Sequence, residues 1–272
     1  MKGDRKDVIV FLGGGRITSA LLAGLRLGGF RQPIIVHDRN PHKLRQLRRQ
    51  YDVQVEPDLH RAVEQAHLLI VAVRPDAVCH LLEQIGQIRQ KQSRPLTAIS
   101  LAAGIPLKKL RTWMGRPARW VRAMPSPVAR TGRGLTAITF GGGLPAAARR
   151  EIRNLFSRVG SVLEIPETKF DAFTVTYSSS HGYHALSALA EAAEKLGLDR
   201  KTALTAAAHA LADGVLAWRE SDLSLDELLN EAATPGGIAA TTMAKMDQSG
   251  YKRSVQQGLR AGMSRAAKNA KR

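Results

Sequence analysis

Disulfide chemistry is closed to this chain, because its 272 residues include a single cysteine, Cys79. A lone thiol forms neither an internal bridge nor a cysteine-cluster metal site, which fits a reducing compartment. Cys79 itself reads as a small core residue on a helix. Aromatic residues are scarce at 5% and do not interleave with the basic residues as base-stacking platforms would. No apolar run approaches the roughly 20 residues that span a bilayer, and the segment from Met1 to Asp7 lacks the apolar stretch of a signal peptide. A cytoplasmic protein is therefore expected. Acidic residues are the third shortage: 23 Asp and Glu face 41 Lys and Arg, giving a net charge of +18. So positive a field attracts phosphates, nucleic acids and anionic small molecules alike, so charge alone does not choose among them. The cations are scattered, with denser patches at 43–49 and 265–272. A solvated basic surface accounts for them, and nucleic acid is not expected as a partner.

What is present looks like an ordinary globular protein: 44% hydrophobic residues and 24 glycines, in a length suited to two domains. From residue 8 to about 165, short β-branched runs alternate with amphipathic stretches, the pattern of parallel strands covered by helices. Strands are expected at 8–12, 34–36, 68–73, 98–101, 120–123, 137–140 and 161–165. The first helix presents Ile17, Ala20, Leu21 and Leu25 on one face, with Gly24 among them, where a glycine would let helix and sheet approach closely. After Pro166 alanine and leucine dominate and strand-like runs almost vanish, so the second half should be all helix. Gly197 suits a left-handed helix end, Asp199 a cap, and Ser224-Leu-Asp-Glu227 has capping-box spacing. The expectation is an α/β protein with a doubly wound Rossmann-type domain at 1–165 and an all-α domain at 166–272.

The chemistry begins at the end of the first strand. Strand, then Gly13-x-Gly15-x-x-Thr18, then helix lets a pyrophosphate sit against a helix N-terminus. Gly13 permits the tight turn, and Gly15 removes the Cβ that would keep the backbone from the phosphates. Thr18 stands where glycine or alanine would pack the helix closest to its strand. At the end of the second strand, His37-Asp38-Arg39-Asn40 offers an acid for a ribose 2′-hydroxyl and an arginine for a 2′-phosphate. Arg39 and the basic run after it favour NADP, while a solvated arginine paired with Asp38 is the alternative.

Several segments together resemble the pyrroline-5-carboxylate reductase family, whose members reduce a cyclic imine to proline with NAD(P)H. They are Val10-Phe-Leu-Gly-Gly-Gly15, Ala72-Val-Arg-Pro75, Ser100-Leu-Ala-Ala-Gly-Ile105, Arg122-Ala-Met-Pro125, Phe170-Asp-Ala-Phe-Thr174 and Thr234-Pro-Gly-Gly237, in the family's order. The resemblance implies a Rossmann domain that binds NADPH, or NADH, through Gly13, Gly15, Arg16, Ile17, Arg39, Asn40, Ala72, Val73, Arg74 and Pro75. It implies a helical domain that pairs with a second subunit, as a homodimer or higher homo-oligomer, with the active site between the cofactor domain and the helical dimer. The substrate end departs from the family. Tyr177-Ser-Ser-Ser-His-Gly-Tyr183 stands where Ser-Gly-Ser-Gly-Pro-Ala-Tyr is usual, and Ile238 and Ala239 stand where threonines hold the substrate carboxylate. Ser126 and Leu59 each replace an asparagine. The expected substrate contacts are Ser179, Gly236, Gly237, Ile238 and Ala239. Ser179 and His181 are the catalytic candidates, since a histidine can supply the proton an imine nitrogen needs. His181 and His184 equally suit a helix start that they merely cap or pack, and no metal site is expected. The expected reaction is reduction of 1-pyrroline-5-carboxylate to L-proline. Reduction of another imine or a keto acid, or an inactive cofactor-binding regulator, are the alternatives.

Overall fold

The computed structural model describes residues 8–90, 96–115 and 117–271. Met1 to Asp7 and Arg272, read above for a leader and as the end of the basic tail, lie outside the described residues. The chain forms two compact units, residues 1–177 with 262–272 and residues 178–261.

The first unit is built on an eight-stranded sheet, β1 (Ile9–Leu12), β2 (Ile34–His37), β3 (Gln54–Val55), β4 (Leu68–Val71), β5 (Leu96–Ser100), β6 (Ala118–Met124), β7 (Gly134–Phe140) and β8 (Gly160–Glu164). Its order is β3-β2-β1-β4-β5-β6-β7-β8, parallel as far as β6. Every expected strand is present; β3, at two residues, is too short to show a period. The expectation of parallel strands throughout needs one correction, because β7 runs antiparallel to β6 and β8 then pairs parallel to β7. The short 3₁₀ turn Pro127–Thr131 that joins β6 to β7 reverses the chain without a helical crossover.

Both sheet faces are covered, so the strands read as unbroken apolar runs. Phe11, Val36, Ile70 and Val121 pack with α1 (Arg16–Leu27), α2 (Pro41–Tyr51) and α6 (Ala146–Ser157). Val10, Leu12, Leu69 and Trp120 pack on the other face with α3 (Leu59–Gln65), α4 (Pro75–Ile88) and α5 (Leu107–Met114). Cys79 is half-buried on α4 rather than in the core, its thiol 3.6 Å from Glu83 Oε1, and burial raises its pKa. Gly24 does permit a close approach, but to the 3₁₀ turn rather than to the sheet: a Cβ there would lie 2.0 Å from the Ala129 carbonyl oxygen. Gly24→Ala should therefore cost about 2 kcal/mol and lower the midpoint of urea unfolding with the slope unchanged.

The compact unit runs past the end of the sheet because α7 (Glu167–Thr176) is tied to it. The Arg122 guanidinium, 1% exposed in β6, pairs with Glu167 at 3.4 Å and with Asp171, and lies 4.3 Å from the centre of the Phe170 ring. The end of the last helix, α12 (Tyr251–Lys271), returns to the same unit, where Asn269 Nδ2 donates to the Ala103 carbonyl at 3.2 Å.

The second unit is helical: α8 (Ser179–Lys195), α9 (Arg200–Glu220), α10 (Leu225–Ala232), α11 (Ile238–Gln248) and the start of α12. The sequence punctuation is met, with Gly197 left-handed at φ 101°, Asp199 capping α9 and a Ser224–Glu227 capping box on α10. Its buried core is thin, namely Ala190, Ala203 and Ala207, while Leu216, Trp218, Leu225 and Val255 stand exposed. No helix among the described residues is long and apolar enough to cross a membrane. The Thr202 hydroxyl and nearby amides hold the Asp199 carboxyl below its ordinary pKa, as the Ser224 hydroxyl and amide do for Glu227. A depressed carboxyl stabilises the fold above its unfolded pKa and loses that contribution as pH falls through its folded value. Helicity at 222 nm should thus fall on acidification below about pH 4, and Asp199→Asn should blunt that loss.

Candidate active site

The sheet order places a switch point between β1 and β4, whose following helices lie on opposite faces. The crevice beyond the carboxyl ends of such strands is where open α/β sheets bind ligands. Here Gly13 leaves β1 at φ 111°, a backbone state that favours glycine, and its amide donates to the His37 carbonyl at 2.8 Å. A Cβ on Gly13 would lie 2.7 Å from the Ala72 carbonyl oxygen and 3.2 Å from Val73 Cγ1. The Ala72 amide in turn donates to the Leu12 carbonyl at 2.8 Å. The glycine turn and Ala72-Val73 are thus pressed together at the crevice floor.

Gly15 differs from Gly13, because a Cβ built on it meets nothing within 4 Å. It is the N-cap of α1, and no side chain caps that helix. First-turn amides at the positive end of a helix, with no Cβ in front of them, make a cradle for a pyrophosphate. Arg16, exposed, and Ile17, half-buried, are the first two residues of α1. Thr18 closes the turn: fully buried, it donates from Oγ1 to the Gly13 carbonyl at 2.5 Å. The residue that departs from the glycine fingerprint therefore pins its geometry.

At the end of β2 the acid and the arginine separate in role. Asp38 Oδ2 accepts the Gly14 amide at 2.7 Å and Oδ1 the Asn40 amide at 2.8 Å. Its ion-pair partner is Lys43, at 3.8 Å, and its side chain is 14% exposed. Arg39 does not pair with it; it is exposed, without a carboxylate partner among the described residues. Asn40 caps α2, its Oδ1 accepting the His42 and Lys43 amides at 2.9 and 3.4 Å. On the other side of the turn, Arg74 caps α4 and is 87% exposed in its side chain, 3.7 Å from Asp76, and Pro75 is the first helical residue. At the end of β5, Ser100 Oγ accepts the Ala102 amide at 3.3 Å.

Two features escape the sequence pattern. Arg122 is a charge inside an apolar strand, and its pairing with acids one turn apart on α7 is the signal that could have revealed it. Tyr177 Oη stands 3.1 Å from Ser126 Oγ and accepts the Leu135 amide at 2.8 Å. Two positions where the chain departs from the family pattern are thus partners of one another.

The substrate candidates fall in the second unit. Ser178 caps α8, and Ser179 is its half-buried first residue. His181 and His184 are exposed on α8, and the cap is Ser178 rather than either of them. No group of three His, Cys, Asp or Glu that could hold a metal forms among the described residues. Gly236 turns at φ 76°, and Gly237, its amide donating to the Thr234 carbonyl at 2.9 Å, is the N-cap of α11 without a side-chain cap. Ile238, 88% exposed, and Ala239 open that helix. Thr241 and Thr242, one turn further on, spend their hydroxyls on the Gly237 and Ile238 carbonyls at 3.0 and 2.9 Å.

Residues 8–104 match the family model described as NADP oxidoreductase, coenzyme F420-dependent, and residues 167–269 that of the pyrroline-5-carboxylate reductase dimerisation domain. The chain is 29% identical to a pyrroline-5-carboxylate reductase of Corynebacterium melassecola, over 90% of this chain and 92% of the relative. It is 27% identical to that of Pseudomonas aeruginosa, over 96% of each. Its fold is that of a pyrroline carboxylate reductase from Plasmodium falciparum solved with NADP bound, with a TM-score of 0.86 and 19% identity over 98% of this chain and all of the other. The enzyme from Streptococcus pyogenes gives the same TM-score at 23% identity, over 96% and 98%. Along most of its length the chain is thus similar to pyrroline-5-carboxylate reductases, its helical half matching their dimerisation domain.

The two glycines should separate folding from binding. Gly13→Ala, strained in φ and blocked by backbone, should cost more than about 2 kcal/mol of stability in thermal unfolding. Gly15→Ala should leave stability within about 0.5 kcal/mol and weaken NADPH binding at least tenfold by fluorescence titration.

Proposed function

We propose that the chain reduces 1-pyrroline-5-carboxylate to L-proline with NADPH. The observation that carries this reading is the cradle at Gly15: an uncapped helix N-terminus with open space before it, beside the Ala72-Val73 backbone at the switch point. Such a cradle fits a dinucleotide pyrophosphate and leaves Ala72, Val73, Arg74 and Pro75 to line the nicotinamide side. Arg16 and Ile17 supply first-turn backbone, and Arg39 and Asn40 border the adenosine ribose. Asp38 is committed to the turn, so Arg39 is the group left to receive a 2′-phosphate, which favours NADPH over NADH. When bound, the reduced nicotinamide supplies a hydride to the imine carbon.

The protein's part is positioning and charge. The turn at Gly236 and Gly237 presents the start of α11, the positive end of a helix, and its first-turn amides at Ile238 and Ala239 suit the substrate carboxylate without a threonine hydroxyl. Ser179 is the hydroxyl placed to hold the imine nitrogen, and His181, exposed near the start of α8, is the group that supplies its proton. We take 1–165 as the cofactor domain and 166–272 as the domain that carries substrate and pairs subunits. The exposed Leu216, Trp218 and Val255 of the helical unit, with the match to a dimerisation domain, support a homodimer joined through these helices. A second reading, another cyclic imine or a keto acid, is favoured by Ile238 and Ala239 specifically.

Purified protein mixed with NADPH and pyrroline-5-carboxylate should oxidise the cofactor at 340 nm and accumulate proline. No oxidation at saturating substrate removes the assignment, and faster turnover of another imine moves it to the second reading. Arg39→Ala should raise the KM for NADPH at least tenfold and leave that for NADH within about twofold, as expected for loss of one charge-assisted phosphate contact.

A further inference from the structure

Part of the +18 charge is gathered into one track on the first unit. The outer face of α2 carries Arg45 and Arg49 along a shallow depression. Arg49 and Gln50 also border a groove of about 800 Å³ whose other cations are Arg26, Arg31 and Arg48. Arg31 and Gln32 in turn border a second groove, of about 490 Å³, with Arg150 of α6 and Arg158 just past its end. The shared residues make the three depressions continuous. Ile9, Ile34 and Leu68 line the grooves, so the track follows the N-terminal ends of β1, β2 and β4, whereas Gly13 and Ala72 stand beyond the C-terminal ends of those strands. The track is therefore separate from the cofactor crevice.

Its cations are poorly neutralised and partly preset. Asp52 and Glu151 are the carboxylates on it, and Glu151 is taken by His67 at 3.2 Å. Arg31, Arg48, Arg49 and Arg150 have no carboxylate partner among the described residues. The Arg26 guanidinium is fixed by donating to the Tyr51, Phe30 and Asp52 carbonyls at 2.9, 2.7 and 2.9 Å, and Arg158 by donating to Gly28 at 3.0 Å.

We propose that this track binds the phosphodiester backbone of double-helical nucleic acid, without sequence preference. Guanidinium forks match phosphate oxygens, and a run of them releases counterions from a polyanion. None of the exposed large apolar side chains lies on the track, so it offers neither a stacking platform for unpaired bases nor a wedge for a bilayer. A concave track suits a rod better than a flat membrane.

The test is fluorescence anisotropy of the full chain with a labelled duplex of about 20 base pairs, DNA in one arm and RNA in another, across a salt series. Arg31→Gln, Arg48→Gln, Arg49→Gln and Arg150→Gln combined should weaken binding at least tenfold and flatten the salt slope by about 3 to 4. Removing as many exposed cations elsewhere on the unit, with Lys108→Gln, Arg111→Gln, Arg130→Gln and Arg133→Gln, should leave affinity within twofold, as should saturating NADPH. Arg48→Glu alone gives the same direction in a minimally altered chain, and circular dichroism with NADPH titration verifies that each variant is folded. Equal losses in the two fourfold variants would reduce the effect to net charge and overturn the proposal. Displacement by NADPH, tighter binding of a single strand, or no binding to either duplex at low salt would also overturn it.

Discussion

The approach of Gly13 to the Ala72 carbonyl is the constraint on which the first unit depends. Strands β1 and β4 are neighbours whose helices leave to opposite faces, and only a residue without a Cβ, at positive φ, lets the chain turn between them at this distance. The rest of the turn is arranged around that point: Thr18 holds the Gly13 carbonyl from within the core, and Asp38 holds the Gly14 amide from the end of β2. With these groups paired inside the protein, the amides at the start of α1 are the ones left facing outward. An uncapped helix N-terminus with open space before it is thus what remains when three strand ends have satisfied one another.

A second constraint secures the far side of the sheet. A buried guanidinium costs far more than it returns unless acids meet it, and Arg122 in β6 is met by Glu167 and Asp171. Glu167 also accepts the Leu107 amide at 2.6 Å, closing the start of α5. One strand, one crossing helix and one helix N-terminus are thereby joined, and α7 packs as part of the sheet unit despite its helical sequence.

Much of this is legible in the sequence because it follows from local rules. Strands buried on both faces appear as apolar runs, Asp199 and the Ser224–Glu227 box appear as caps, and the glycine turn appears by its flanks. What the sequence hides is long-range. Nothing local distinguishes Asp38, which organises the turn, from an acid that holds a ribose, because the difference lies in the Gly14 amide far along the chain. Nor does the spacing around Gly24 reveal that its neighbour is the Ala129 carbonyl rather than the sheet. The reversal at β7 comes from a 3₁₀ turn too short to carry a period. In the helical unit the alanine-rich texture foretells helices, but exposed Ile238 and the threonines committed to carbonyls become visible only once α11 is formed.

If the Gly15 cradle and the Ala72-Val73 floor form one cofactor site, they hold the pyrophosphate and the nicotinamide of the same reduced dinucleotide. A crystal structure of the complex with NADPH tests it directly. The pyrophosphate should lie within hydrogen-bond distance of the amides of Gly15 and Arg16, the 2′-phosphate against Arg39 and the nicotinamide beside Ala72 and Val73. A pyrophosphate bound anywhere else, or a 2′-phosphate away from Arg39 with Asp38 released to the ribose, would contradict it.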